Sequence, residues 1–127
     1  MEVGMAKIFA IEDYSSIRDL LSEELAEEGN VVASTGDPRL IPEMLRTFEP
    51  DLMILDPYVR GKMQWELLER IKNQKPHLPI LIFADPYKED PHQFQVDGWV
   101  AKRFLFDDLK QKIIKILGKP PWKPAQP

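Results

Sequence analysis

Short apolar runs and amphipathic runs alternate along this chain with only brief connections, and that alternation admits few architectures. KIFAI (7–11), VVAS (31–34), DLMILD (51–56), PILIF (79–83) and GWVA (98–101) have the length and the branched or aromatic content of strands. The run at 51–56 is apolar on both faces, which suits a central place in a sheet covered on both sides. Between the strands, SSIRDLLSEELAEEG sets Ile17, Leu20, Leu21 and Leu25 on one helical face, with acids opposite and Gly29 as the stop. Asp37-Pro38 is a cap followed by proline at the first helical position. Pro42 removes a further backbone donor, so the regular helix is predicted from near Ile41. QWELLERIKNQ (64–74) turns Trp65, Leu68 and Ile71 or Leu67 inward, and DDLKQKIIKILG (107–118) does the same with Leu109, Ile113, Ile116 and Leu117. Parallel strands need crossover helices and bury both faces. The order therefore predicts an α/β fold, a five-stranded parallel sheet that is doubly wound.

Bulk properties limit the function. At 127 residues the chain is one domain by length, large enough to bury roughly two-thirds of the surface its unfolded form exposes. A net charge of −4 argues against nucleic acid or an anionic membrane as the main partner. With no cysteine, disulfide frameworks, thiol catalysis and Cys-ligated zinc are excluded. No apolar stretch approaches a bilayer span and no signal-peptide pattern opens the chain, so the expected location is cytoplasmic. Prolines, 12 in all, sit mostly where elements should end. The domain is expected over 1–118, with 119–127 (KPPWKPAQP) as a proline-rich tail or linker.

In a doubly wound sheet the parallel strands deliver their C-terminal ends to one rim, where ligands collect. The first strand ends in Glu12-Asp13, the third in Asp56, and the fifth runs straight into Lys102. Three carboxylates and one ammonium are thus expected together. Carboxylates that close repel unless a cation sits between them, and a hard divalent ion such as Mg²⁺, bound by oxygen with some waters retained, suits an open rim. Taken singly, an aspartate ending a strand is usually a turn residue and a lysine before a loop is usually solvated.

KIFAIEDYSSIRDLL, PDLMILD and GWVAKRF, taken in order, resemble the signature stretches of response-regulator receiver domains from two-component signalling. The likeness runs from about Lys7 to Leu117 and implies a flavodoxin-like receiver fold. By that resemblance Glu12 and Asp13 are the acidic pair, Asp56 the phosphoacceptor, Lys102 the rim lysine and Trp99 the switch aromatic. It further implies Mg²⁺ on Asp13, Asp56 and the backbone carbonyl of Tyr58, with Glu12 acting through water. A histidine kinase or phosphotransfer protein would be the phosphodonor and a downstream protein the output partner. The domain would be a signalling acceptor rather than an enzyme, with at most autocatalytic phosphotransfer. No nucleic-acid or membrane partner is implied, and a homodimer stays open.

The chain departs from the family pattern in one segment above all. Ala84 stands where the pattern has Thr or Ser, whose hydroxyl bonds the phosphoryl group and draws its loop inward; a methyl group does neither. Asp85 follows where a small residue is usual, and a second anion there opposes an incoming phosphoryl group. Only 15 positions separate Ala84 from Trp99, with Pro86 and Pro91 between them, so the fourth helix is expected to be shortened. Arg60 replaces a proline in the loop after Asp56, and Arg103 replaces the proline that normally follows the lysine. The metal and acceptor carboxylates are present while the parts that read the phosphoryl state are altered. Two readings follow: an atypical receiver phosphorylated on Asp56, or a phosphorylation-independent interaction module. A nucleotide- or flavin-binding domain lacks support, because EDYSS rather than a Gly-rich loop follows the first strand.

Overall fold

A computed structural model describes residues 6–59, 62–85, 96–102 and 106–118. The elements follow in order β1 (Lys7–Ile11), α1 (Ser15–Glu27), β2 (Val31–Thr35), a 3₁₀ turn (Pro38–Leu40), α2 (Ile41–Thr47), β3 (Leu52–Leu55), β4 (Tyr58–Val59), β5 (Lys62–Met63), α3 (Trp65–Gln74), β6 (Ile80–Ala84), β7 (Gly98–Ala101) and α4 (Asp107–Leu117). Strands β2-β1-β3-β6-β7 form one five-stranded sheet in that order, every pairing parallel. This is the doubly wound, flavodoxin-like arrangement, with β3 central as its two-faced apolar run requires.

Side chains alternate across each strand, and the alternation sorts the core into two layers. Ile8, Ala10, Leu52, Ile54, Leu81, Phe83 and Val100 face α1 and α4, where Leu21, Leu25, Leu109 and Ile113 meet them. Phe9, Ile11, Met53, Leu55, Ile80, Ile82 and Ala84 face α2 and α3, against Ile41, Leu45, Leu67, Leu68 and Ile71.

Local signals explain the ends. The Asp37 carboxylate accepts from the Arg39 N–H at 3.0 Å, and Pro38 opens the 3₁₀ turn, so the regular helix starts only at Ile41. Gly29 ends α1 at φ 92°, a left-handed conformation that side chains disfavour.

Two features differ from the sequence reading. Leu20, expected on the inward face of α1, is 45% exposed; the face that meets the sheet repeats every four residues through Leu21 and Leu25. The loop after β3 also folds into an antiparallel hairpin, β4 with β5, too short for periodicity to register. The expected shortening of the fourth helix concerns residues 86–95, and the expected tail is 119–127; both lie outside the described residues, as do Arg60 and Arg103. No described helix is long and apolar enough to cross a membrane.

Candidate functional site

Glu12, Asp56 and Lys102 each stand one residue beyond a strand: β1 ends at Ile11, β3 at Leu55 and β7 at Ala101. The sheet's hydrogen bonding runs one step further and holds all three. Glu12 N–H donates to the Thr35 carbonyl at 3.1 Å, Asp56 N–H to that of Ile11 at 3.3 Å, and Lys102 N–H to that of Ala84 at 2.8 Å. Position 12 shares parity with Ile8 and Ala10, 56 with Leu52 and Ile54, and 102 with Val100, all on the face covered by α1 and α4. Parity therefore brings these three side chains to one side of the rim.

They meet there. Lys102 Nζ donates to Asp56 Oδ2 at 2.6 Å and lies 2.7 Å from Glu12 Oε1. The Glu12 side chain is 1% exposed, Asp56 13% and Lys102 18%, so the group is largely withdrawn from solvent. The other two carboxylate oxygens take backbone donors: Tyr14 N–H reaches Glu12 Oε2 and Tyr58 N–H reaches Asp56 Oδ1, both at 3.0 Å. Glu12 Oε1 has no hydrogen bond of good geometry, and charge alone binds it to the ammonium. Burial pulls the Lys102 pKa down, but contacts with Asp56 and Glu12 outweigh it and raise the pKa above the ordinary lysine value. Lys102 Nζ also lies 5.8 Å from the Phe83 ring centroid.

The expected rim of three carboxylates is thus built around two, with an ammonium as the central cation. Asp13 is half-buried in the turn that follows Glu12. Among the described residues no three acidic, histidine or cysteine side chains gather closely enough to hold one metal ion. The donor chemistry nevertheless suits Mg²⁺: the carboxylates of Glu12, Asp13 and Asp56 and the Tyr58 carbonyl are hard oxygen donors. Glu12 Oε1, buried and with no hydrogen bond of good geometry, has the Lys102 ammonium 2.7 Å away as its neighbouring cation.

Of the positions expected to act as the switch, Ala84 is fully buried in the apolar layer under α2 and α3, and Trp99 is half-buried against that same layer. Asp85 is exposed just beyond β6. Sequence reasoning missed the role of the Tyr58 N–H and the part played by Arg18, whose guanidinium donates to the Glu12 carbonyl at 2.7 Å. Strand parity, legible once the strand ends are fixed, would have singled out Glu12, Asp56 and Lys102.

The family model "Response regulator receiver domain" matches residues 8–114. Among curated proteins, the chain is 30% identical over 118 residues to the Fimbriae Z protein of Salmonella typhimurium, covering 88% of this chain and 56% of that protein. It is 30% identical over 77 residues to the DNA-binding transcriptional regulator NtrC of a Bradyrhizobium species, covering 61% of this chain and 16% of that one. The chain therefore spans about half of the first relative and a small part of the second. Among solved structures, the response regulator TrrA of Thermotoga maritima in complex with Mg²⁺-BeF is 31% identical with a TM-score of 0.78, covering 89% of this chain and all of that one. A histidine kinase ThkA complex with TrrA matches with the same TM-score, 0.78. The chemotaxis regulator CheY4 of Vibrio cholerae is 25% identical, covers 89% of this chain and 99% of that one, and has a TM-score of 0.75.

Proposed function

This chain is a receiver domain of the response-regulator family, and from that premise we propose that it accepts a phosphoryl group on Asp56 in a two-component phosphorelay. The observation that carries this reading is the hold on the Asp56 carboxylate, with Tyr58 N–H on Oδ1 at 3.0 Å and Lys102 Nζ on Oδ2 at 2.6 Å. A nucleophile fixed at both oxygens beside a buried cation is oriented before the phosphodonor arrives.

The donor is a phosphohistidine of a histidine kinase or phosphotransfer protein, a reading supported by the likeness to TrrA, which has been captured with the kinase ThkA. As an Asp56 oxygen forms its bond to phosphorus, the P–N bond breaks and the imidazole leaves with the electron pair and takes up a proton. Lys102 offsets charge on the phosphoryl oxygens. Asp13, Asp56 and the Tyr58 carbonyl, with Glu12 through water, would hold Mg²⁺, which when bound adds positive charge at those oxygens. The domain then signals by protein–protein contact rather than by turnover of a substrate.

A second reading is favoured by Ala84, whose buried methyl offers no hydroxyl to a phosphoryl group. In it the domain is a receiver scaffold that binds a protein partner without phosphorylation. Intact mass after incubation with Mg²⁺ and acetyl phosphate separates the two, with Asp56→Asn alongside. One added phosphoryl group, absent in the variant, is expected; an unmodified wild-type chain would leave the scaffold reading in place.

A further inference from the structure

The turn between β1 and α1 carries the acidic pair, and one cation outside the Lys102 cluster is aimed at its backbone. Arg18, half-buried on the first turn of α1, donates from Nη1 to the Glu12 carbonyl at 2.7 Å and makes a longer contact, 3.4 Å, with the Asp13 carbonyl. Both carbonyls belong to the acidic pair, Glu12 with its side chain in the Lys102 cluster and Asp13 in the turn that follows it. The guanidinium also lies across Gly36, at the end of β2. A Cβ on Gly36 would come within 2.5 Å of Arg18 Nη1 and 3.1 Å of the Glu12 carbonyl oxygen. Gly36 is not among the described glycines with positive φ, which are Gly29 and Gly118. Its lack of a side chain is therefore a matter of space, and the space is filled by Arg18.

We propose that Arg18 is the positioning residue of the acidic pair: it clamps the Glu12 and Asp13 carbonyls over the bare backbone of Gly36 and so fixes where the two carboxylates point. The clamp has mechanical consequences on the page. Glu12 is held from three sides, by its own N–H on the Thr35 carbonyl, by Arg18 on its carbonyl, and by the Tyr14 N–H on its carboxylate at 3.0 Å. Releasing the second frees the peptide that the third depends on. A planar guanidinium suits the task because it presents several donors in a fixed fork, enough to reach two neighbouring carbonyls at once. Through the acidic pair the clamp tunes cation binding, and this part rests on the proposed Mg²⁺-dependent reading.

The test uses the full chain with Arg18→Met, which keeps an unbranched apolar stem and removes the donors, and Gly36→Ala, whose methyl displaces the tip of a flexible side chain. Both are expected to fold, as followed by circular dichroism. Amide hydrogen exchange at Tyr14 should accelerate about ten-fold relative to Ile54 in central β3, the factor expected for loss of one supporting hydrogen bond. The Mg²⁺ concentration for half-maximal labelling by acetyl phosphate should rise about ten-fold or more, as when a group supporting metal ligands is lost, while the labelling rate at saturating Mg²⁺ stays within about two-fold. The effects of the two changes should be less than additive in the double variant, since both act on the Arg18 contact while only the crowding of Gly36→Ala on the Glu12 carbonyl is separate. Unchanged exchange at Tyr14 in Arg18→Met overturns the clamp. Faster exchange with unmoved Mg²⁺ dependence overturns its role in positioning the acids. If the wild-type chain neither binds Mg²⁺ nor takes up phosphoryl, the phosphoacceptor reading fails and the metal part of this proposal with it, while exchange still decides whether Arg18 clamps the turn.

Discussion

The backbone N–H of Lys102 donates to the carbonyl of Ala84 at 2.8 Å, so the rim lysine is anchored to the residue at which the sequence resemblance leads one to expect a hydroxyl. The anchor uses main-chain atoms and does not depend on the Ala84 side chain. The Lys102–Asp56 contact at 2.6 Å is thus held with a methyl side chain at position 84.

Ala84→Thr tests that separation. Ala84 is fully buried among apolar side chains, so an added methyl and hydroxyl overfill a packed layer at roughly 1–3 kcal/mol. Urea denaturation should show the loss, and acetyl phosphate should label the variant at close to the wild-type rate. A variant that no longer takes the label would mean that position 84 shapes the acceptor after all.

Lys102→Met removes the cation shared by two withdrawn carboxylates, 2.7 Å from Glu12 and 2.6 Å from Asp56. Leaving buried charge unpaired costs about 3–5 kcal/mol. Denaturant midpoints of the wild-type and variant chains give the number. A cost below about 1 kcal/mol, the range of exposed pairs, would show that the group is better solvated than its burial implies.

The same cluster sets a pH dependence with a definite sign. Contacts with Asp56 and Glu12 raise the folded pKa of Lys102 above the ordinary lysine value, so the folded state holds this proton more tightly than the unfolded chain. Its contribution to stability is fully present below the ordinary lysine range and is lost as pH rises from there through the folded value. Thermal melts between neutral pH and about pH 10 should not register this group, whereas melts at higher pH should. In Lys102→Met that alkaline component should disappear.

Gly29→Ala probes the end of α1. At φ 92° any side chain is strained, although nothing lies within 4 Å of where its Cβ would sit. The cost is purely conformational, about 1–2 kcal/mol, and Gly29→Asn, which tolerates this region better, should cost less. Equal losses for the two variants in urea denaturation would contradict that explanation.

Much of this protein is legible in its residues taken in order. The five strands of the parallel sheet and the four described helices follow from apolar runs and runs of period 3.6, and Asp37-Pro38 and Gly29 mark ends because caps and left-handed turns depend on local chemistry. Glu12, Asp56 and Lys102 are visible as charges standing where apolar strands stop, and a parallel sheet must bring such ends to one edge. What periodicity could not decide needed the strands in register. The side-chain parity of positions 12, 56 and 102 closes two carboxylates around the Lys102 ammonium, while Asp13, in the turn beyond, joins no three-carboxylate cluster among the described residues. Leu20 misleads for a related reason, since its hydrophobicity is local but its exposure is set by which face of α1 meets the sheet, the one carrying Leu21 and Leu25. Arg18 reads as one more charge on a polar helix face until the fold lays it across Gly36, because a contact between residues 18 positions apart exists only when β1, β2 and α1 have packed.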